Sequence, residues 1–100
     1  MEKDMSSFQC KDRYDLNDFI ALISFLRSEN GCPWDHVQTH TSIRRNLVEE
    51  AYELAETIDC DDKAHMKEEL GDVLMQVLFH SDIEADAGVF DIYDVADHAC

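Results

Sequence analysis

Two groups of carboxylates are spaced as if to act together: Glu49, Glu50 and Glu53 in one segment, Glu69 and Asp72 in another. On a helix, Glu50 and Glu53 stand about one turn apart, and so do Glu69 and Asp72. Acidic residues on helices usually form a solvated face, but angular placement argues otherwise here. At about 100° per residue from Ile43, the apolar arc of the first segment runs from about 0° to 80°, with Glu50 at about −20°, Glu53 at about −80° and Glu49 at about −120°. Glu50 therefore borders the core, whereas Glu49 is solvated or plays a supporting part. Ionised carboxylates gathered without cations repel one another and lose hydration, so protons or divalent metals must accompany them. An all-oxygen donor set suits Mg²⁺, with Mn²⁺ as the alternative, and suits zinc poorly. A di-iron bundle would call for Glu-x-x-His on two helices, and that spacing is absent from the sequence.

The segments that must position these acids are helical. With 3 glycines and 1 proline, punctuation is confined to Gly31-Cys32-Pro33 and Gly88, apart from Gly71 inside a helical pattern. Asp15 caps a first helix over about 16–30, where Leu16, Phe19, Ile20, Ile23 and Leu26 recur at helical spacing and Gly31 stops the chain. A turn around Cys32–Gln38 leads to a second helix, capped by Thr39 or Thr41 and reaching about Ile58, with Ile43, Leu47, Ala51, Leu54 and Ile58 inward. Asp59-Cys60-Asp61-Asp62 breaks the pattern, and a third helix from about Asp62 to Asp86 returns antiparallel to the second. Gly88 stops it, and Asp91 caps a short last helix with Ile92 and Val95 inward. Residues 1–14 read as a loose arm, and residues 15–100 as the folded domain.

The third helix carries Met66, Leu70, Val73 and Val77 on one face, and Met75 and Phe79 nearly opposite. Glu69, Asp72, Gln76 and His80 form a polar stripe between them. A helix that is apolar on two sides is buried twice, and a domain of 100 residues cannot hide much surface by itself. The expected fold is all-α, an antiparallel helical bundle completed by homo-oligomerisation, with Met75 and Phe79 covered by another subunit.

Charge and composition narrow the partners. The chain has 8 basic and 23 acidic side chains, a net charge of −15, with 45% hydrophobic and 9% aromatic residues. It should fold rather than remain a disordered acidic tail, and its charge disfavours nucleic-acid polymers and anionic membranes. The cysteines Cys10, Cys32, Cys60 and Cys100 are scattered, as suits reduced thiols. No apolar run approaches the ~20 residues of a membrane span, and the polar start has no signal-peptide core. A cytoplasmic protein is expected.

Taken in order, Leu26-Arg27, Gly31-Cys32-Pro33-Trp34-Asp35, Gln38-Thr39-His40, Leu47-Val48-Glu49-Glu50-Ala51-Tyr52-Glu53, Glu69-Leu70-Gly71-Asp72-Val73-Leu74 and Gln76-Val77-Leu78-Phe79-His80 resemble the MazG-type nucleoside triphosphate pyrophosphohydrolases of the all-α group. The resemblance implies hydrolysis of (d)NTPs to (d)NMP and pyrophosphate, with Glu50, Glu53, Glu69 and Asp72 as metal ligands and Glu49 in a supporting role. It also implies a basic segment after the position of Ala99, so the domain is expected to be C-terminally truncated, and a Lys or Arg where this chain has His36.

Other residues carry two readings each. Trp34 stacks on a nucleobase or plugs the end of the bundle. Arg27, Arg44 and Arg45 are candidates for phosphate contacts, although Arg27 also complements the dipole at the end of the first helix. His80 and His40 hydrogen-bond the ligand or are satisfied core histidines. Gly71 is expected to admit a close helix contact beside the metal site. Cys32 reads as a small buried apolar residue. The alternative to an enzyme is a catalytically weak nucleotide- or metal-binding module, or a helical interaction domain.

Overall fold

Asp15 opens the first helix by a reciprocal cap: its Oδ1 accepts from the Asp18 N–H at 2.9 Å, and Asp18 Oδ2 accepts from the Asp15 N–H at 2.9 Å, which satisfies two of the donors a helix start leaves over. The computed structural model describes residues 10–100, and every regular element among them is a helix: α1 (Leu16–Arg27), α2 (Pro33–His36), α3 (His40–Asp59), α4 (Lys63–Asp86) and α5 (Ile92–Ala99). Of the arm expected over residues 1–14, residues 1–9 lie outside the described ones, and Lys11 pairs with Asp18 at 2.7 Å. The chain divides into two compact units between Gln38 and Thr39.

In the first unit the helix ends at Arg27, not near Asn30. Ser28 is extended (φ −73°, ψ 165°), and its N–H turns back to the Phe25 carbonyl. The released Arg27 carbonyl accepts from His36 Nδ1 at 2.9 Å, and the Leu26 carbonyl accepts from the Cys32 N–H at 2.9 Å. Gly31 is needed there for space, because a Cβ would stand 2.6 Å from the Leu26 carbonyl oxygen and closer still to that of Phe25. What reads as a simple turn over Cys32–Gln38 contains α2, opened by Pro33 at its first position, where the missing N–H costs nothing.

The second unit is a helical hairpin with α5 appended. Thr39 caps α3 in a capping box with Ser42, Asp62 caps α4 through the His65 N–H, and Asp91 caps α5 with Asp94. The link Cys60–Asp62 turns through Asp61, whose φ of 51° is left-handed, a conformation that aspartate tolerates better than most residues. Gly88 at φ 74° plays the same part after α4. His40 at the start of α3 is bonded to His80 and Glu84 near the end of α4, so the two helices run antiparallel.

The seam is not placed where the hydrophobic pattern alone puts it. On α3 the residues withdrawn from solvent are Ile43, Leu47, Glu50, Leu54 and Thr57, whereas Ala51 and Ile58 are exposed. On the helical count this stripe centres on about 0° instead of 40°, which carries Glu50 into the seam. On α4 the buried residues are Leu78, Phe79 and Ser81. Phe79 is 6% exposed within the single chain, while Leu70 is 51% and Val77 38% exposed. Phe79 is thus not waiting for a second subunit, and the exposed apolar residues of α4 are Leu70 and Val77 on one face and Met75 on another. Gly71 is a further correction: nothing lies within 4 Å of where its Cβ would be, so no close approach among the described residues explains it. None of these helices is long and apolar enough to cross a membrane.

Candidate functional site

Burying Glu50 in the seam brings its carboxylate to face α4 where the polar stripe starts. One carboxylate oxygen from each of Glu50, Glu69 and Asp72 lies within 4.8 Å of the other two, and all three residues are half-buried. Three acids at such range repel strongly in a poorly solvated seam. Burial, followed by repulsion from Glu53 and Asp72, pushes the carboxyls of both Glu50 and Glu69 above their ordinary range. One oxygen each of Glu50 and Glu69 is buried without a hydrogen-bond partner. Buried carboxylate oxygens are normally satisfied, and an oxygen-seeking divalent cation is the species that would satisfy both at once. The donor set therefore fits such an ion.

Glu53 is more exposed than these three and lies against Glu69, whose proton affinity it raises. Glu49 faces away and accepts from Arg45 Nε at 3.0 Å on the open surface of α3. Arg44 is exposed on the same helix. Arg27 and Trp34 belong to the first unit, where Arg27 is buried at the end of α1 and Trp34 is exposed on α2.

A model of the MazG nucleotide pyrophosphohydrolase domain matches residues 38–100, the stretch that holds all the converging carboxylates. The chain belongs to the MazG family. The relatives are consistent with this. Over 82 residues, or 82% of its length, the chain is 52% identical to the uncharacterized protein YabN of Bacillus subtilis, of which it covers 17%. It is 50% identical over 78 residues to the nucleoside triphosphate pyrophosphohydrolase/pyrophosphatase MazG of Thermotoga maritima, covering 78% of this chain and 31% of that one. It is 42% identical over 81 residues to a nucleoside triphosphate pyrophosphohydrolase of Escherichia coli, covering 80% and 31%. The chain thus spans less than a third of the length of each of these relatives.

Beyond the carboxylates, the MazG domain holds a cluster that periodicity does not reveal. His40 Nδ1 and His80 Nδ1 are 2.6 Å apart, and His40 Nε2 is 2.7 Å from Glu84 Oε2. Glu84 has no motif to mark it. The available signal is register: an antiparallel α4 places the i, i+4 pair His80/Glu84 opposite the first residue of α3.

Proposed function

We propose that this MazG domain is a Mg²⁺-dependent nucleoside triphosphate pyrophosphohydrolase of the cytoplasm, cleaving (d)NTPs to (d)NMP and pyrophosphate. The observation that carries this reading is the convergence of Glu50, Glu69 and Asp72, with unpartnered oxygens on the two glutamates, inside the segment that matches the family. Glu50, Glu53, Glu69 and Asp72 hold the metal, and Glu49 supports them from the outer side. An ion held by these residues would supply the positive charge that a triphosphate needs at so acidic a surface and would polarise its phosphoryl groups. The protein's own part is to hold the carboxylates in one place on two rigid helices, so that no reorganisation is needed when charge develops. Arg44, Arg45, Arg27 and Trp34 are the remaining substrate contacts of this reading, the arginines for phosphate oxygens and Trp34 for the base.

The test is pyrophosphate release from the common ribo- and deoxyribonucleoside triphosphates with Mg²⁺. Release of pyrophosphate with stoichiometric monophosphate is expected. Metal binding without turnover of any of them would favour the binding-module reading.

The hairpin works as part of an antiparallel bundle completed by a second copy of the chain. Leu70, Val77, Val48 and Tyr52 lie on exposed surfaces of the α3–α4 hairpin, and such surface is usually covered. Light scattering is expected to give at least a dimer at micromolar concentration. A monomer would show that these residues stay in water.

A further inference from the structure

The stripe on α4 continues past the carboxylates as Asp72, Gln76, His80 and Glu84, each four residues from the last and so on one side of the helix. At about 1.5 Å per residue, His80 stands about 12 Å along the helix from Asp72. Two buried atoms on this stretch have no hydrogen-bond partner, Gln76 Oε1 and His80 Nε2, so the unsatisfied line begun at Glu50 and Glu69 runs on toward the histidines.

The contacts around His80 tie what its free nitrogen offers to the charge state of His40. Ionised Glu84 only accepts, so His40 Nε2, 2.7 Å from it, carries a proton. When His40 is in its neutral form, its other nitrogen is bare and accepts, which places the shared proton of the 2.6 Å Nδ1–Nδ1 contact on His80. The ring planes are within 3° of parallel with centroids 4.9 Å apart. That separation equals the nitrogen–nitrogen distance plus the two ring radii, so the rings meet edge to edge and the N–H of one points at the lone pair of the other. Burial, followed by the charge of His40 when that ring is protonated, holds His80 below the ordinary histidine range, so His80 is the ring of the pair that stays neutral. With His40 neutral, the His80 Nε2 is therefore a bare acceptor, one helical turn along α4 from the residue that carries a second acceptor, Gln76 Oε1.

We propose that His80, held as the Nδ1–H tautomer by neutral His40 and Glu84, is a ligand-binding residue of the α3–α4 seam, where its Nε2 and Gln76 Oε1 receive N–H or O–H donors of the nucleoside. The identity of the ligand rests on the pyrophosphohydrolase reading above, since phosphates held at the carboxylates leave the nucleoside end to lie farther along the seam. His40 and Glu84 are positioning residues that act through His80.

Two measurements at pH 8 test this. In ¹⁵N-labelled protein, His80 Nδ1 is expected to be protonated and Nε2 bare, and Mg²⁺ with α,β-imido-ATP is expected to shift the Nε2 resonance upfield as it gains a donor. Glu84→Gln, which still accepts from His40, keeps this tautomer, whereas Glu84→Ala mixes the two. An Nε2–H tautomer, or an Nε2 signal unmoved by saturating analogue, overturns the proposal, as does a buried water alone holding Nε2. In calorimetry, His80→Phe is expected to weaken Mg²⁺-α,β-imido-ATP about fivefold and to leave Mg²⁺ with inorganic triphosphate unchanged. The 2′,3′-dideoxy analogue separates the two donor sources: a smaller effect of His80→Phe on it assigns the donor to the sugar, an equal effect assigns it to the base. Equal weakening of triphosphate and nucleotide, or weakening of neither, overturns the inference while the metal reading stands. Failure of the unaltered protein to bind either polyphosphate overturns the metal reading, and the inference with it.

Discussion

Millimolar Mg²⁺ or Mn²⁺ raises the melting temperature of the domain by several degrees over the same protein in EDTA, with sodium holding the ionic strength. The ion binds the folded hairpin and not the unfolded chain, so at a hundred times its Kd it adds about 2.7 kcal/mol to the native state. The effect has a pH signature. Glu50 and Glu69 have folded-state pKa values raised above their ordinary ones, by burial first and by repulsion from Glu53 and Asp72 next. A raised carboxyl contributes stability that is fully present below the unfolded value and is lost as pH rises through the folded one. The metal-free domain therefore loses stability on going from acid toward neutral pH through the upper carboxylate range, and the metal restores it there. Since protons and cation compete for the same oxygens, the thermal shift shrinks as pH falls. Equal melting temperatures with metal and EDTA at neutral pH would remove the metal site.

Neutralising one converging acid should have the largest effect on activity. Asp72→Asn and Glu69→Gln each reduce Mg²⁺-dependent pyrophosphate release by about a hundredfold or more, at or beyond the top of the loss seen when only the support of a metal ligand is removed. Glu53→Gln is expected to follow them, and Glu56→Gln, on the exposed side of α3, to change activity little and stability by less than about 0.5 kcal/mol. The ligand variants carry a second expected result of opposite sign: their metal-free melting temperature rises, because one of the mutually repelling charges in the seam is gone. Circular-dichroism melts in EDTA beside the activity assay measure both. Equal loss in all variants, Glu56→Gln included, would mean that activity depends on general acidity, and full activity in Asp72→Asn would exclude Asp72 as an essential ligand.

Much of the helical pattern of this chain is written locally. Asp15 and Asp91 mark helix starts because a short side-chain acceptor is chemically needed there, as does the pair Thr39 and Thr41, between which the fold chose Thr39, and Gly88 marks a stop because its φ of 74° is open to glycine. The one-turn spacing of Glu69 and Asp72 follows from helical pitch, whereas the approach of Glu50 to them also needs the rotation of α3 about its axis. Other features depend on how the helices are rotated about their axes and what lies across the seam. The seam is turned by about 40° from the arc that hydrophobicity suggests, which leaves Glu50 half-buried and Ala51 and Ile58 exposed. Phe79 is buried while Leu70 and Val77 stay in water, a choice that a helix apolar on two sides leaves open. Gly31 looks like a left-handed helix stop, yet it is set by the carbonyls of Phe25 and Leu26 crowding its missing side chain. The Glu84–His40–His80 chain lies furthest from the sequence, since its contacts join residues 40 and 44 positions apart. Helix periodicity reports which residues share a face, and only the packed hairpin decides which faces meet.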